Sequence, residues 1–192
     1  KVMILGSGPI RIGQAAEFDF SGSQACRALR SDGYEIVLVN SNPATIQNDP
    51  EMADRIYIEP LLPDVVKRIL EIEKPDAILA GMGGQTALNI ASNLAHSGVL
   101  AELGVELIGC DLRAIDEAED RDLFNQVCAE IDLPISQAMA CNSIEEVLAA
   151  ADELGNYPIL IRPAFTLGGL GGGTAWNIGE LVEIASQGIL HS

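Results

Sequence analysis

At 192 residues, with 48% hydrophobic residues but only 4% aromatic ones, the chain can bury one full domain and part of a second in a core of Val, Ile, Leu and Ala. A formal net charge of −17 leaves no positive footprint for nucleic acid or for an anionic membrane surface, and no apolar run reaches the roughly 18 residues that a membrane span needs. Cys26, Cys110, Cys128 and Cys141 are far apart and form no CxxC pair, the pattern of reduced core thiols in a cytoplasmic protein rather than of a zinc site or disulfide frame.

The N-terminal stretch Val2–Leu5 reads as a strand, and Gly6 breaks it too soon for a secretory signal. A helix over Phe20–Arg30 ends at Gly33, and Glu35–Val39 is the second strand. Asn40 to Pro50 is rich in turn-forming residues. Ile56–Ile58 is a short β-branched strand, and Pro63 opens a helix to Lys74, proline being tolerated in a first turn. Ala77–Ala80, a helix over Gln85–Ser97 and the strand Glu106–Ile108 follow. Strands and helices alternating over about 110 residues predict a doubly wound α/β fold with a parallel sheet.

Asp111 to Asp132 is helical and charged, as a connector would be, and a new unit starts at Leu133. It comprises a helix over Ser143–Leu154 with Glu145 and Glu146 where the macrodipole favours them, strands at Ile159–Ile161 and Thr174–Trp176, and a helix from Gly179. The two strands enclose a glycine-rich loop, so a β-hairpin is expected there. His96 and His191 have no visible partners and read as surface residues, and no acidic cluster has metal-ligand spacing.

Two glycine-rich loops are candidate ligand sites. The first, Gly6-Ser7-Gly8-Pro9-Ile10-Arg11-Ile12-Gly13, follows a strand as a dinucleotide fingerprint should. Its third glycine comes too late, Pro9 removes a backbone N–H, and the second strand ends in Asn40 rather than in an acidic residue for a ribose. A tight turn explains it better, and a nicotinamide-binding domain is the alternative that rests on it. Gly83-Gly84-Gln85-Thr86 precedes a helix, and anion binding or close helix–sheet packing explains it equally well.

The second loop carries five glycines in the six positions 168–173, leaving its backbone free to turn successive N–H groups toward an anion. Arg162, held extended by Pro163 at the loop's base, can reach a phosphate through a charge-assisted bond. This makes 165–173 the stronger phosphate site. Arg121, four residues after Glu117, reads by spacing alone as part of a solvated helix face.

Taken in order, GSGPIRIGQ (Gly6–Gln14), EFDFSGSQAC (Glu17–Cys26), VNSNPATI (Val39–Ile46), GGQTALN (Gly83–Asn89), AIDEAEDR (Ala114–Arg121) and IRPAFTLGG (Ile161–Gly169) resemble the carbamoyl-phosphate synthetase large chain across nearly the whole sequence. That family's chain is duplicated. SGSQAC, NSNPATI and Gly171–Gly173 resemble its first half, which makes carboxyphosphate from bicarbonate and ATP.

The resemblance implies a Rossmann-like pre-ATP-grasp domain over 1–112 that binds no dinucleotide, a helical connector over 113–132, and the first part of an ATP-grasp domain over 133–192. It implies ATP contacts at Arg121, Arg162, Gly168 and Gly169, which moves Arg121 from the surface to the nucleotide. Within this chain it supplies no catalytic residue and no metal ligand; Mg2+ would be held by acidic residues further on. The chain is therefore expected to be a piece of a longer ligase of pyrimidine and arginine biosynthesis, inactive alone. Its partners would be the rest of the large chain and a glutaminase small subunit, with glutamine-derived ammonia as the nitrogen source. A scaffold that docks the glutaminase is the other alternative. Leu170 departs from the family pattern, standing where a small hydroxyl residue is common; Asn156 looks added, outside the binding motif.

Overall fold

The computed structural model describes residues 1–8, 15–163 and 171–191, in two compact units, Lys1–Asp132 and Leu133–Ser192. The helices expected to form a connector group with the first unit.

The first unit is built on five parallel strands, β1 (Val2–Leu5), β2 (Ile36–Val39), β3 (Arg55–Tyr57), β4 (Ala77–Leu79) and β5 (Glu106–Ile108), in the order β3-β2-β1-β4-β5. β1 lies at the centre, with Ile4 opposite Leu38 on one side and Leu79 on the other. Because side chains alternate along a strand, Met3, Leu5, Val37, Val39 and Ile78 enter one core and Val2, Ile4, Ile36 and Leu38 the other. The first core is covered by α2 (Pro63–Glu73) and α3 (Gly84–His96), through residues such as Val66, Leu70, Ala87 and Leu94. The second is covered by α1 (Ala15–Ser31), through Cys26. A sheet buried on both faces explains why its strands are continuous apolar runs, and it is the doubly wound α/β architecture expected.

Local chemistry sets the element ends. α1 starts five residues before the expected Phe20 and stops where Gly33, at φ 87°, donates its N–H to the Arg30 carbonyl. Lys74, expected inside α2, is its left-handed cap, with its N–H on the Leu70 carbonyl. A further helix, α4 (Val99–Leu103), lies between Gly98 and Gly104, both at positive φ. Five residues are too few to show helical periodicity in a sequence.

The charged stretch forms two helices, α5 (Leu112–Glu119) and α6 (Arg121–Glu130), separated by Asp120. Asp111 caps α5, its Oδ1 accepting from the Ala114 N–H at 2.7 Å.

In the second unit, β6 (Ile159–Ile161) and β7 (Gly173–Ala175) pair antiparallel, giving the expected hairpin, and α7 (Ile144–Leu154) and α8 (Ile178–His191) pack with it around Ala150, Ala175, Leu181 and Ala185. β7 ends one residue earlier than expected. Trp176 leaves the strand because its N–H donates to Glu180 Oε2 while Asn177 caps α8, a reciprocal capping arrangement.

Two expectations are corrected. Cys26 and Cys128 are buried thiols, but Cys110, in the bend after Gly109, and Cys141, in the extended run before α7, are only half-buried. His96 is exposed but partnered: its Nε2 lies 3.2 Å from Asp116 Oδ2. The side chain of His191 lies outside the described residues.

Candidate functional site

At Gly6 and Gly8 the first glycine-rich turn is packed against protein. A Cβ on Gly6 would lie 2.4 Å from Asn40 Nδ2, and one on Gly8, at φ 68°, 2.9 Å from Ser41 Oγ. Asn40, at the position where a dinucleotide fold needs its acidic residue, is fully buried. Its Nδ2 donates to Gln47 Oε1 at 3.2 Å and its Oδ1 accepts from the Asn42 N–H at 3.0 Å. Gln47, equally buried, passes its own amide N–H to the Phe18 carbonyl at 2.8 Å and presses on Gly22. Thr45 completes the network, donating to Asp19 while accepting from the Gln47 N–H. These bonds fasten the ends of β1 and β2 to α1, and buried amides paired this fully are costly to disturb.

A cleft of about 490 Å³ opens at the carboxyl ends of the strands, lined by Ser7, Gly8, Ser41, Glu59, Leu61 and Thr86 among others. Doubly wound sheets hold their ligands at this edge. Among the described residues no basic side chain lines it, and Glu59 does. Arg11 and the rest of 9–14 lie outside the described residues.

Gly83-Gly84 is accounted for by packing. A Cβ on Gly83 would lie 2.5 Å from the Leu5 carbonyl oxygen and 2.6 Å from that of Gly6, and one on Gly84 2.8 Å from the Phe18 ring. The start of α3 rests on the end of β1, closer than any side chain permits.

The second loop hangs from the β6–β7 stem. Ile161 faces Gly173 in the ladder, Arg162 follows as an exposed residue, and Pro163 is buried. The glycines of the return strand close the stem. A Cβ on Gly172 would lie 2.9 Å from the Ile161 carbonyl oxygen, and one on Gly173 3.2 Å from Ile184 of α8. Gly188 of α8 would meet the Gly171 carbonyl at 3.1 Å and Pro163 at 3.4 Å. Gly171 itself has φ 72°. Both feet of the loop are thus anchored on backbone, and a cation stands exposed at one of them. This fits a phosphate-bearing ligand.

Gly168 and Gly169 lie outside the described residues. Arg121 opens α6, and its side chain also lies outside the described residues. Among the described residues, no group of three or more His, Cys, Asp or Glu side chains is arranged to hold a metal ion. Neither is any described helix long and apolar enough to cross a membrane.

Comparison with known proteins adds to this geometry. Residues 1–117 match the family model of the carbamoyl phosphate synthase preATP-grasp domain, and residues 120–192 that of the carbamoyl-phosphate synthase L chain, ATP binding domain. The chain is 60% identical over its whole length to a carbamoyl phosphate synthase large chain of Archaeoglobus fulgidus, and 58% identical to one of Synechocystis. It spans only 18% of the length of each. Among solved structures, 98% of the chain superposes on 40% of a biotin carboxylase domain of Hydrogenobacter thermophilus 2-oxoglutarate carboxylase, with a TM-score of 0.71 at 20% identity. That likeness is one of fold.

Proposed function

The chain belongs to the carbamoyl phosphate synthase large-chain family, and from that premise we propose that it builds part of the ATP site at which bicarbonate is phosphorylated to carboxyphosphate. The observation that carries this reading is Arg162-Pro163 at the foot of the glycine loop, on a stem closed tightly enough that Gly172 tolerates no Cβ.

In this reading Arg162 holds phosphate oxygens by charge-assisted hydrogen bonds, which are about twice as strong as neutral ones. The N–H groups of Gly168 and Gly169 cradle the same phosphates, and Arg121 meets the nucleotide from the start of α6. ATP would supply the phosphoryl group, and what this chain does is position that group and offset its charge. No residue of the chain is assigned as base or nucleophile, and the magnesium ligands belong elsewhere in the whole protein.

We divide the chain functionally into a pre-ATP-grasp domain (1–112), a helical connector (113–132) and the first part of the ATP-grasp domain (133–192). The whole protein would be a cytoplasmic ligase serving pyrimidine and arginine biosynthesis. It would take bicarbonate and glutamine-derived ammonia, with a glutaminase small subunit as partner. Asn40, fully buried and hydrogen-bonded to Gln47 and the Asn42 N–H at the position where a dinucleotide fold needs an acidic residue, speaks against the nicotinamide alternative.

Steady-state kinetics of the whole protein test the proposal. Arg162→Ala should raise the KM for ATP in bicarbonate-dependent ATP hydrolysis or abolish it; unchanged kinetics would remove Arg162 from the site. The 192-residue chain alone should show no such hydrolysis.

A further inference from the structure

We infer that Gln85 is a positioning residue for the nucleotide site, acting through the end of α5 on the placement of Arg121. This inference rests on the reading of Arg121 as a nucleotide contact.

Gln85 lies in the first turn of α3, which Gly83 sets directly against the carbonyls of Leu5 and Gly6. Its start therefore has little freedom to move relative to the sheet. From this fixed point Gln85 Nε2 donates to Asn89 Oδ1 at 2.9 Å and to Glu119 Oε2 at 2.7 Å. A carboxylate only accepts, so the amide nitrogen must face Glu119.

Glu119 is the last residue of α5, and a single residue separates it from Arg121. That residue, Asp120, is tied on both sides. Its N–H donates to the Asp116 carbonyl at 2.9 Å, its Oδ1 accepts from the Leu123 N–H at 3.0 Å, and its carbonyl accepts from the Phe124 N–H at 2.8 Å. The backbone from Glu119 to Arg121 has no slack, so what fixes Glu119 fixes where α6 begins.

A second clasp supports the first. Asp116 and Glu119, three apart, share a helix face, and His96 at the far end of α3 meets Asp116. Ile115 of α5 is buried and lines the same groove. A groove of about 360 Å³ runs along this seat, lined by Asn89, Ser92, Asn93, His96, Asp116 and Glu119 among others. Polar bonds thus join α5 to α3 beside the buried Ile115, and they specify direction and distance as apolar contacts do not. They are exposed bonds, so global stability depends on them little.

The test exchanges donor and acceptor in the whole protein, following ATP dependence of bicarbonate-dependent hydrolysis. Gln85→Glu alone sets two carboxylates face to face and should raise the KM for ATP about three- to tenfold, the span of one net hydrogen bond, with kcat within about twofold. Adding Glu119→Gln restores a donor–acceptor pair and should return the KM to within about twofold of the original value. The inference is overturned if Gln85→Glu leaves the KM unchanged, if it lowers only kcat or the melting temperature, or if the double variant stays at the single variant's KM. Arg121→Ala in the same assay separates the layers. A raised KM there with none in Gln85→Glu sinks the positioning role alone. An unchanged KM in Arg121→Ala sinks the nucleotide role of Arg121, and the role of Gln85 with it.

Discussion

The two glycine-rich turns look alike in sequence and are both packed against protein, but they differ in which part of the protein fills them. At Gly6 and Gly8 the room that a missing Cβ leaves is occupied by Asn40 and Ser41. At Gly172 and Gly173 that room is taken by the stem's own strand and by α8, and the loop beyond is held at both feet with Arg162 exposed beside it. Glycine content therefore says only that something comes close. Whether that something is the protein or a ligand depends on what the surrounding elements bring up.

The comparison breaks most sharply at Gly83. Gly83→Ala drives a Cβ into two backbone carbonyls that cannot turn away, and should cost about 3 kcal/mol of unfolding free energy, read as a lower urea midpoint at unchanged slope. A variant as stable as the original would mean that α3 does not rest on β1. Next comes Arg162→Ala: under the proposed role it removes a charge-assisted bond of about 1.5–3 kcal/mol and should raise the KM for ATP about ten- to a hundredfold. Its melting temperature should fall by no more than an exposed interaction is worth, a few degrees at most; a large drop would make Arg162 a structural residue instead.

A third variant sharpens the reading of the first turn. Gln47→Leu removes the acceptor of the buried Asn40 amide and one of the donors to the Phe18 carbonyl, and should destabilise by about 1–3 kcal/mol. Nucleotide affinity should not change, and a loss of affinity without a loss of stability would return this turn to the list of ligand sites.

At neutral pH the smallest effect concerns Cys26, whose contribution changes only in alkali. Burial pushes its thiol up to about 11 from an ordinary 9. The neutral thiol is favoured in the folded state, so its contribution is complete below pH 9 and is lost as the pH rises toward 11. Stability should fall by up to about 2–3 kcal/mol across that window, and Cys26→Ala should flatten that part of the profile. At pH 8, alkylation should reach the half-buried Cys110 and Cys141 and spare Cys26 and Cys128 until the chain unfolds.

Much of the fold was legible because its signals are local. Val2–Leu5, Glu106–Ile108 and Ile159–Ile161 appear with the bounds their apolar runs suggest, and Pro63 and Gly33 mark helix ends as their backbone chemistry dictates. α4 was not legible, since five residues between two glycines carry no period. Nor were the partners of His96 and Gln85, because each lies on a different helix and only packing brings them within reach. For Arg162 the local pattern by itself suggests a phosphate contact, a cation before a proline before glycines; for Arg121 spacing suggests only a solvated helix face, and its proposed role comes from the family resemblance alone.

What the sequence determined by itself is the alternation of strand and helix, the apolar strands that demand a sheet covered on both faces, and the family its ordered motifs belong to. Tertiary structure alone decided which glycines serve packing and which frame a loop. The reason is physical: a backbone's freedom is written in the residue, but the atom that fills the space beside it comes from elsewhere in the chain. Asn40 beside Gly6, and Leu5 beneath Gly83, are neighbours only once the sheet has formed.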